Sequence, residues 1–227
     1  MSVNPLLLPV KKDADTIRAT VLTTIIKMLH RRGWISAENV KKQIDNVITS
    51  QNDDNLYKVT LDVKLLSFPT YDPQDENVPK KVDKEFDDKT VMIKLLSQKV
   101  TSVSKSPIIT DFLTAYKKTH RILVVEEISE KAKHQLVSNK HIEVFSEVFL
   151  LADLMEFVSC PIYEILTPEQ CTQVLEEYHL TKRQMKFMLD TDPASIYLFL
   201  KNKQMVRVIR DSELTAKSVD YRIVVHK

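Results

Sequence analysis

The sequence predicts an α/β protein with two domains: an N-terminal α/β domain with a mainly parallel sheet over residues 14–158, and a small mixed α/β domain over residues 159–227. Three observations carry this. Between Val91 and Phe145 stretches of strand and helix character alternate, and that β-α-β-α-β order is what crossover connections give a parallel sheet. Ser159-Cys160-Pro161 then breaks the pattern. Beyond it, helix caps, turn residues and an alternating strand follow one another at the short spacing of a small, locally specified domain.

In chain order, residues 1–13 show no periodicity and are expected to be a leader. From Asp15 to about Arg32, Ile17, Val21, Leu22, Ile25, Ile26, Met28 and Leu29 recur at helical spacing and form a wide apolar face. His30, Arg31 and Arg32 fall in the last turn, where positive charge suits the helix dipole. Gly33, the one glycine, stands where the left-handed residue after a helix belongs. Ser36 can cap a second helix to about Ile48, with Val40, Ile44 and Val47 inward. Tyr57, Val59, Leu61, Val63 and Leu65 alternate with polar residues as a half-buried strand. Phe68 to Asp88, with three prolines and an acidic excess, reads as a surface excursion. Strands at Val91–Leu96, Arg121–Glu126 and Ile142–Phe145 are separated by helices at Ile108–Lys118 and Glu130–Asn139. Glu147–Phe157 reads as a further helix or a buried apolar run.

In the second domain Thr167-Pro168-Glu169-Gln170 has the form of a capping box, and Cys171, Val174, Leu175 and Tyr178 share one face of the helix it starts. Thr181 and Gln184 repeat the box. Asp192-Pro193 starts a short helix over Ala194–Leu200, because the carboxylate accepts free amide protons and proline fits the first helical position. Lys201-Asn202-Lys203 turns the chain, with asparagine tolerating the left-handed conformation. Met205–Arg210 is a short strand. After Asp211-Ser212-Glu213, alternation puts Val219, Tyr221, Ile223 and Val225 on one face, and Ser218, Asp220, Arg222 and Val224 on the other. Pro161–Lys227 is therefore expected to fold alone.

Composition narrows the function. Hydrophobic content of 43% and charged content of 28% are those of a globular chain, and Lys+Arg 33 against Asp+Glu 31 argues against bulk electrostatic binding of nucleic acid as the main task. No apolar run approaches the ~20 residues that span a bilayer. The start, MSVNPLLLPVKK, has neither the basic leader nor the apolar length of a signal peptide, so an intracellular protein is expected. Cys160 and Cys171 lack CxxC spacing and a nearby histidine pair; they are expected to be packed thiols, with no metal and no cofactor. One glycine excludes Walker loops, dinucleotide fingerprints and nucleophile elbows, which all need several.

Few residues are left to carry chemistry. Asp87-Asp88-Lys89, just before a strand, has the form used by metal-dependent nucleases, in which carboxylates hold the cation and lysine steadies the attacking water; Asp62 or Asp72 would be the preceding acid. Such tripeptides are common in a charged chain, and no catalytic residue is assigned. The six histidines are scattered, with no i,i+4 pair and no visible carboxylate or nucleophile partner. His30-Arg31-Arg32, Lys80-Lys81 and Lys117-Lys118 are small basic clusters, either solvated faces or phosphate contacts. Tyr197, Tyr221, Arg210 and Arg222 are of the types that anchor interfaces. Tyr221 has the core as its alternative place; Arg222, on the polar face, does not.

The C-terminal stretch also resembles a known family. Leu180, Gln184-Met185, Asp192-Pro193, Tyr197, Leu200-Lys201, Val206, Ile209-Arg210, Ser212-Glu213 and Tyr221-Arg222 follow, in order and spacing, the pattern of the assembly domain of the fifth common subunit of eukaryotic RNA polymerases, a family with archaeal members. Gly33-Trp34 between two helices is similar to the opening of that family's N-terminal domain. The chain departs from the pattern where Phe199, Lys203 and Ala216 stand in place of glycines, Lys217 in place of arginine and Tyr163 in place of histidine, as in a divergent member from a large DNA virus. The resemblance implies a non-catalytic subunit of DNA-directed RNA polymerase that docks on the largest subunit and places a jaw domain near downstream duplex DNA. Its implied interface residues are Tyr197, Lys201, Arg210, Ser212, Glu213 and Arg222, and its DNA-proximal residues Arg31, Arg32, Lys117 and Lys118. The expected partners are polymerase subunits and duplex DNA, with no membrane. The expected place is the nucleus for a cellular enzyme, or virion, host cytoplasm or nucleus for a viral one. A stand-alone interaction module and, more distantly, a nuclease-like enzyme are the alternatives.

Overall fold

A computed structural model describes residues 13–50, 55–63, 87–103, 106–137 and 141–226. The chain divides into two compact units that interleave in sequence. The first holds residues up to Lys27, Ala37–Val59 and Val91–Ala152; the second holds Met28–Ser36, the described part of Thr60–Thr90, and Asp153–Lys227. The expected leader, most of the Phe68–Asp88 excursion, Lys80-Lys81 and Asp72 lie outside the described residues.

Helix α1 (Ala14–Arg31) begins in the first unit and ends in the second. Its apolar periodicity is realised, with Val21, Leu22, Ile25, Ile26, Met28 and Leu29 buried. It closes as predicted: Gly33 takes φ 76°, its N–H donates to His30 O at 2.8 Å, and Trp34 N–H donates to Leu29 O at 3.0 Å. Both bonds satisfy carbonyls that the helix end leaves free. Helix α2 (Ala37–Thr49) follows, with Val47 buried.

Strands β1 (Leu56–Thr60), β2 (Asp87–Val100), β3 (Thr119–Ile128) and β4 (Ile142–Ser146) form one sheet in the order β1-β2-β3-β4. Strands β3 and β4 run parallel, from Arg121↔Ile142 to Val125↔Ser146, around the crossover helix α4 (Glu130–Val137). Strands β1 and β2 run antiparallel, since Leu61 bonds to Lys89 while Leu95 bonds back to Asn55. The α/β expectation holds, with a sheet that is mixed. Helix α3 (Pro107–Ala115) packs Ile109 and Phe112 against Met92, Leu96, Leu123 and Val125, the core of this unit. Beside that core His120 Nε2 and Glu143 Oε1 pair at 2.7 Å, both buried. The run after β4 is short: α5 (Glu147–Leu150), then a 3-10 turn over Leu154–Glu156 started by Asp153.

In the second unit β5 (Ile162–Ile165), β6 (Lys186–Leu189), β7 (Met205–Ser212) and β8 (Ala216–Val225) form a sheet in the order β5-β7-β8-β6. Strands β7 and β8 are an antiparallel hairpin, β5 joins β7 antiparallel, and β6 joins β8 parallel. Helix α6 (Pro168–Glu177) has the full predicted box: Gln170 N–H donates to Thr167 Oγ1 at 3.3 Å, and Thr167 N–H donates to Gln170 Oε1 at 2.9 Å. Its Cys171 and Val174 close on Met205 and Ile223 of one sheet face, with Tyr221 and Val225 packed beside them. That is the alternation read from the sequence. The other face is not polar throughout, because Val206, Val208 and Val224 are buried there too. The second box, Thr181 with Gln184, heads only a 3-10 turn over Lys182–Gln184 before β6, a strand too short to show alternation in the sequence. Helix α7 (Pro193–Leu198) starts at Asp192, whose Oδ1 accepts from Ala194 N–H at 2.9 Å.

Candidate functional site

The chain has one glycine, but among the described residues seven have φ in the left-handed region, six of them not glycine. Helix α7 closes on Phe199 at φ 55°: Phe199 N–H donates to Ile196 O and Leu200 N–H to Ser195 O, the same pair of bonds that Gly33 allows after α1. Helix α6 closes the same way on His179, at φ 52°. Lys203 at φ 69° and Ala216 at φ 59° complete the turns that flank β7. A side chain at such a position crowds its own backbone by about 1–2 kcal/mol, which glycine avoids. The left-handed turn residue is thus Lys203, not Asn202 as the sequence suggested, and Phe199, Lys203 and Ala216, where the resemblance implied glycine, take the glycine-type backbone without it.

Two arginines converge on the end of α7. Arg32 is 4% exposed; its Nε donates to Tyr197 O at 2.8 Å and its Nη2 to Ile196 O at 3.1 Å, the last carbonyls of the helix. Its guanidinium carbon lies 5.0 Å from the Trp34 ring centre and 5.2 Å from that of Phe199, and the two rings meet edge to face at 5.6 Å. Arg31 Nη1 donates to Asp153 Oδ1 and, at 3.1 Å, to Tyr197 Oη. Tyr197 is 1% exposed, and its hydroxyl donates to Asp153 Oδ1 at 2.8 Å. Burial first, then the Asp153 carboxylate, push the Tyr197 hydroxyl far above its ordinary pKa. Burial lowers the Arg31 pKa, but Tyr197 and Asp153 outweigh it and hold the guanidinium above its usual value.

These contacts show where the structure places three of the predicted residues. Arg32 is buried and bonded inside its own unit. Arg31 pairs with Asp153 and Tyr197 and keeps part of its side chain exposed. Tyr197 is buried within its own unit. Sequence reasoning missed Asp153 because its side-chain donors Arg31 and Tyr197 lie 122 and 44 residues away.

The other predicted interface residues lie on or beside the second sheet. Arg210 and Glu213 are exposed, and Ser212 Oγ accepts from Thr215 N–H at 3.4 Å at the hairpin end. Arg222 is half-buried; its Nε donates to Asp220 Oδ2 at 3.4 Å, and Lys186 Nζ donates to Asp220 Oδ1 at 2.8 Å. Burial raises the Asp220 pKa, but Lys186 and Arg222 outweigh it and hold the carboxyl below its ordinary value. Lys201 sits apart, its Nζ 3.2 Å from the Phe199 ring centre. On the opposite face of the sheet the register lines up Ile162, Ile209 and Val219 across three strands, with Ile162 58% and Val219 50% exposed. This apolar row was not singled out in the sequence. Strand registers across a sheet, which a single sequence does not give, would have been needed to see it.

Lys117 and Lys118 are exposed in the turn between α3 and β3 of the first unit. Of the nuclease-like set, Asp87 and Lys89 lie within β2 rather than before it, with Lys89 N–H donating to Asp87 Oδ1 at 3.1 Å. Asp62 Oδ2 accepts from Ser36 N–H at 2.7 Å and Ser36 Oγ at 2.8 Å. Among the described residues no three His, Cys, Asp or Glu side chains gather where they could hold a metal ion. Cys160 is half-buried and Cys171 buried, and burial pushes both thiols up, as for packed cysteines.

Comparison with known proteins bears on the same residues. Residues 152–224 match the family described as RNA polymerase Rpb5, C-terminal domain. The chain is 28% identical over 197 residues to DNA-directed RNA polymerase subunit 5 of Acanthamoeba polyphaga mimivirus, covering 84% of this chain and 94% of that protein. It is 26% identical over 209 residues to DNA-directed RNA polymerases I, II, and III subunit RPABC1 of Caenorhabditis elegans, covering 89% and 92%. The Caenorhabditis briggsae protein of the same name is 31% identical over 84 residues, 37% of this chain and 40% of that one. The match to the C-terminal domain spans the second sheet from β5 to all but the last residue of β8, together with Asp153 and Tyr197. Residues 152–224 thus carry an Rpb5 C-terminal domain, and the similarity to polymerase subunits extends over most of the chain, which supports a divergent member of that family.

Proposed function

We propose that this chain is a non-catalytic subunit of a multi-subunit DNA-directed RNA polymerase. The observation that carries the reading is the near end-to-end match to relatives that are themselves polymerase subunits. On this reading the second unit docks on the largest subunit, and the first unit serves as a jaw element beside downstream duplex DNA. The docking surface is the exposed end of the second sheet. There Arg210, Glu213 and the Arg222–Asp220–Lys186 cluster offer directional charge, and Ile162, Ile209 and Val219 offer apolar area on the opposite face. Charge that fixes register beside apolar surface that gains on burial is the usual make-up of a protein interface. The compartment follows the polymerase: the nucleus for a cellular enzyme, the virion or host cell for a viral one.

A tagged copy of the full chain should purify in constant proportion with the other polymerase subunits, and cross-links from Lys186 and Lys217 should fall on the largest of them. Recovery with a single small partner would support a stand-alone interaction module instead. Cross-links confined to other subunits would keep the polymerase and remove the largest subunit as the dock.

A further inference from the structure

We infer that residues Arg31–Trp34 are a clasp held in a built site of the second unit, and that Phe199 is kept in the left-handed region because its ring forms one wall of that site. Arg32 caps the Tyr197 carbonyl and gives a second donor to the Ile196 carbonyl, which already accepts from Phe199 N–H, both at the end of α7. The same guanidinium lies over both the Trp34 and Phe199 rings, and those rings touch each other. Arg31 reaches Asp153 and Tyr197 on the adjoining side. Trp34 O accepts from the Asp62 N–H at 3.0 Å, which ties the far end of the clasp to the same unit.

Phe199 and Ala216 differ in what they receive for the same backbone. Ala216 has φ 59° with its methyl exposed, so its side chain offsets nothing. Phe199 has φ 55°, and its ring meets Trp34, Arg32 and Lys201. Glycine would serve the backbone better at both positions and would remove the wall at only one. It follows that the second unit is incomplete without Met28–Ser36. On this inference a fragment starting at Pro161 lacks both the clasp and Asp153 and should not fold as a unit, whereas its caps and turns alone lead to the opposite expectation.

The test uses the full chain and reads the thermal midpoint together with hydrogen exchange at the Phe199, Leu200 and Val206 amides. Ala216→Gly should raise the midpoint by about 2 °C, as relief of a left-handed side chain does in a chain of this size. Phe199→Gly should lower it and speed exchange at those amides about tenfold, although the backbone is relieved equally. Arg32→Lys keeps the charge but cannot bridge two carbonyls in the plane of a guanidinium; it should speed exchange at the same amides. The two changes should be non-additive, the double variant exchanging little faster than the worse single one. A rise in midpoint for Phe199→Gly matching that of Ala216→Gly would overturn the proposal. Full additivity of Phe199→Gly and Arg32→Lys would do so as well.

Discussion

Asp153→Ala removes the acceptor on which three donors converge: Met155 N–H at 3.1 Å, Tyr197 Oη at 2.8 Å and Arg31 Nη1. The Tyr197 hydroxyl loses the most. Its residue is 1% exposed, so water cannot replace the lost acceptor, and an unmet buried donor costs about 1–3 kcal/mol. The Met155 amide is less enclosed and contributes less. The Arg31 side chain is 29% exposed and keeps Glu156 at 4.0 Å, so its share is discounted to under about 1 kcal/mol. The sum is about 3 kcal/mol, at the low end of what breaking a buried ion pair costs. Asp153→Asn keeps the shape and an acceptor but not the charge, and should cost about half as much. Guanidinium unfolding followed by the fluorescence of Trp34, the only tryptophan, reports on the unit that holds the cluster. In a double-mutant cycle with Tyr197→Phe the coupling should be about 1.5 kcal/mol, the worth of one hydrogen bond to a charged group. A cost for Asp153→Ala below about 0.5 kcal/mol, the level of an ordinary surface change, would refute the buried network.

Other outcomes follow from the same geometry. Tyr197 should ionise well above the ordinary tyrosine value in an absorbance titration, and Tyr197→Phe should remove that late step. Because its pKa is raised on folding, the stability it gives is complete below about pH 10, the unfolded value, and is lost as pH rises further. Asp220 has the opposite sign: its pKa is lowered on folding, so its contribution is present above about pH 4 and is lost as acid carries the pH down through its folded value. Asp220→Asn should therefore flatten the acid limb of a stability–pH curve and leave the alkaline limb alone. Tyr221→Ala, which strips a half-buried ring from the α6 cluster, should cost about 2 kcal/mol, whereas Arg222→Glu should move the midpoint by no more than a degree or two while sharply reducing co-purification with polymerase. Equal losses of stability for the two would show that they do not lie on opposite faces.

The parts of the fold that the sequence revealed are those fixed by near neighbours. Thr167 with Gln170, Asp192 with Pro193, and Gly33 after Leu29 act over three or four residues, and each formed as the spacing required. The alternation that placed Tyr221, Ile223 and Val225 toward α6 is equally local. Strand β6 has four residues and a parallel partner more than thirty positions away, and left no periodic trace. The interleaving of the two units left no trace for the same reason, since Met28–Ser36 joins Asp153–Lys227 through contacts such as Arg32 to Tyr197, 165 residues apart. Composition around Arg31-Arg32 suggested a basic helix end open to solvent. Whether a given arginine faces water or a distant carbonyl is decided by tertiary contacts that no local pattern records.

That distinction changes how a DNA-facing role is to be tested. Reversing Arg31, Arg32, Lys117 and Lys118 together would place glutamate against the Ile196 and Tyr197 carbonyls and beside Asp153, and loss of DNA retention would then follow from disruption of the second unit. Only Lys117 and Lys118 are exposed, in a turn of the first unit, so they alone can be reversed with the fold intact. Lys117→Glu with Lys118→Glu should leave the midpoint within about a degree, as surface changes do. If the first unit lies beside duplex DNA, the assembled polymerase should lose downstream duplex more readily, and the loss should be largest at low salt. There, each lysine–phosphate contact releases a condensed counterion, so removing two should lower the slope of log affinity against log salt by about 2. A slope unchanged across the titration would mean that these two lysines only solvate a turn. The jaw reading would then have to rest on neutral contacts to the sugar–phosphate backbone from elsewhere in the first unit.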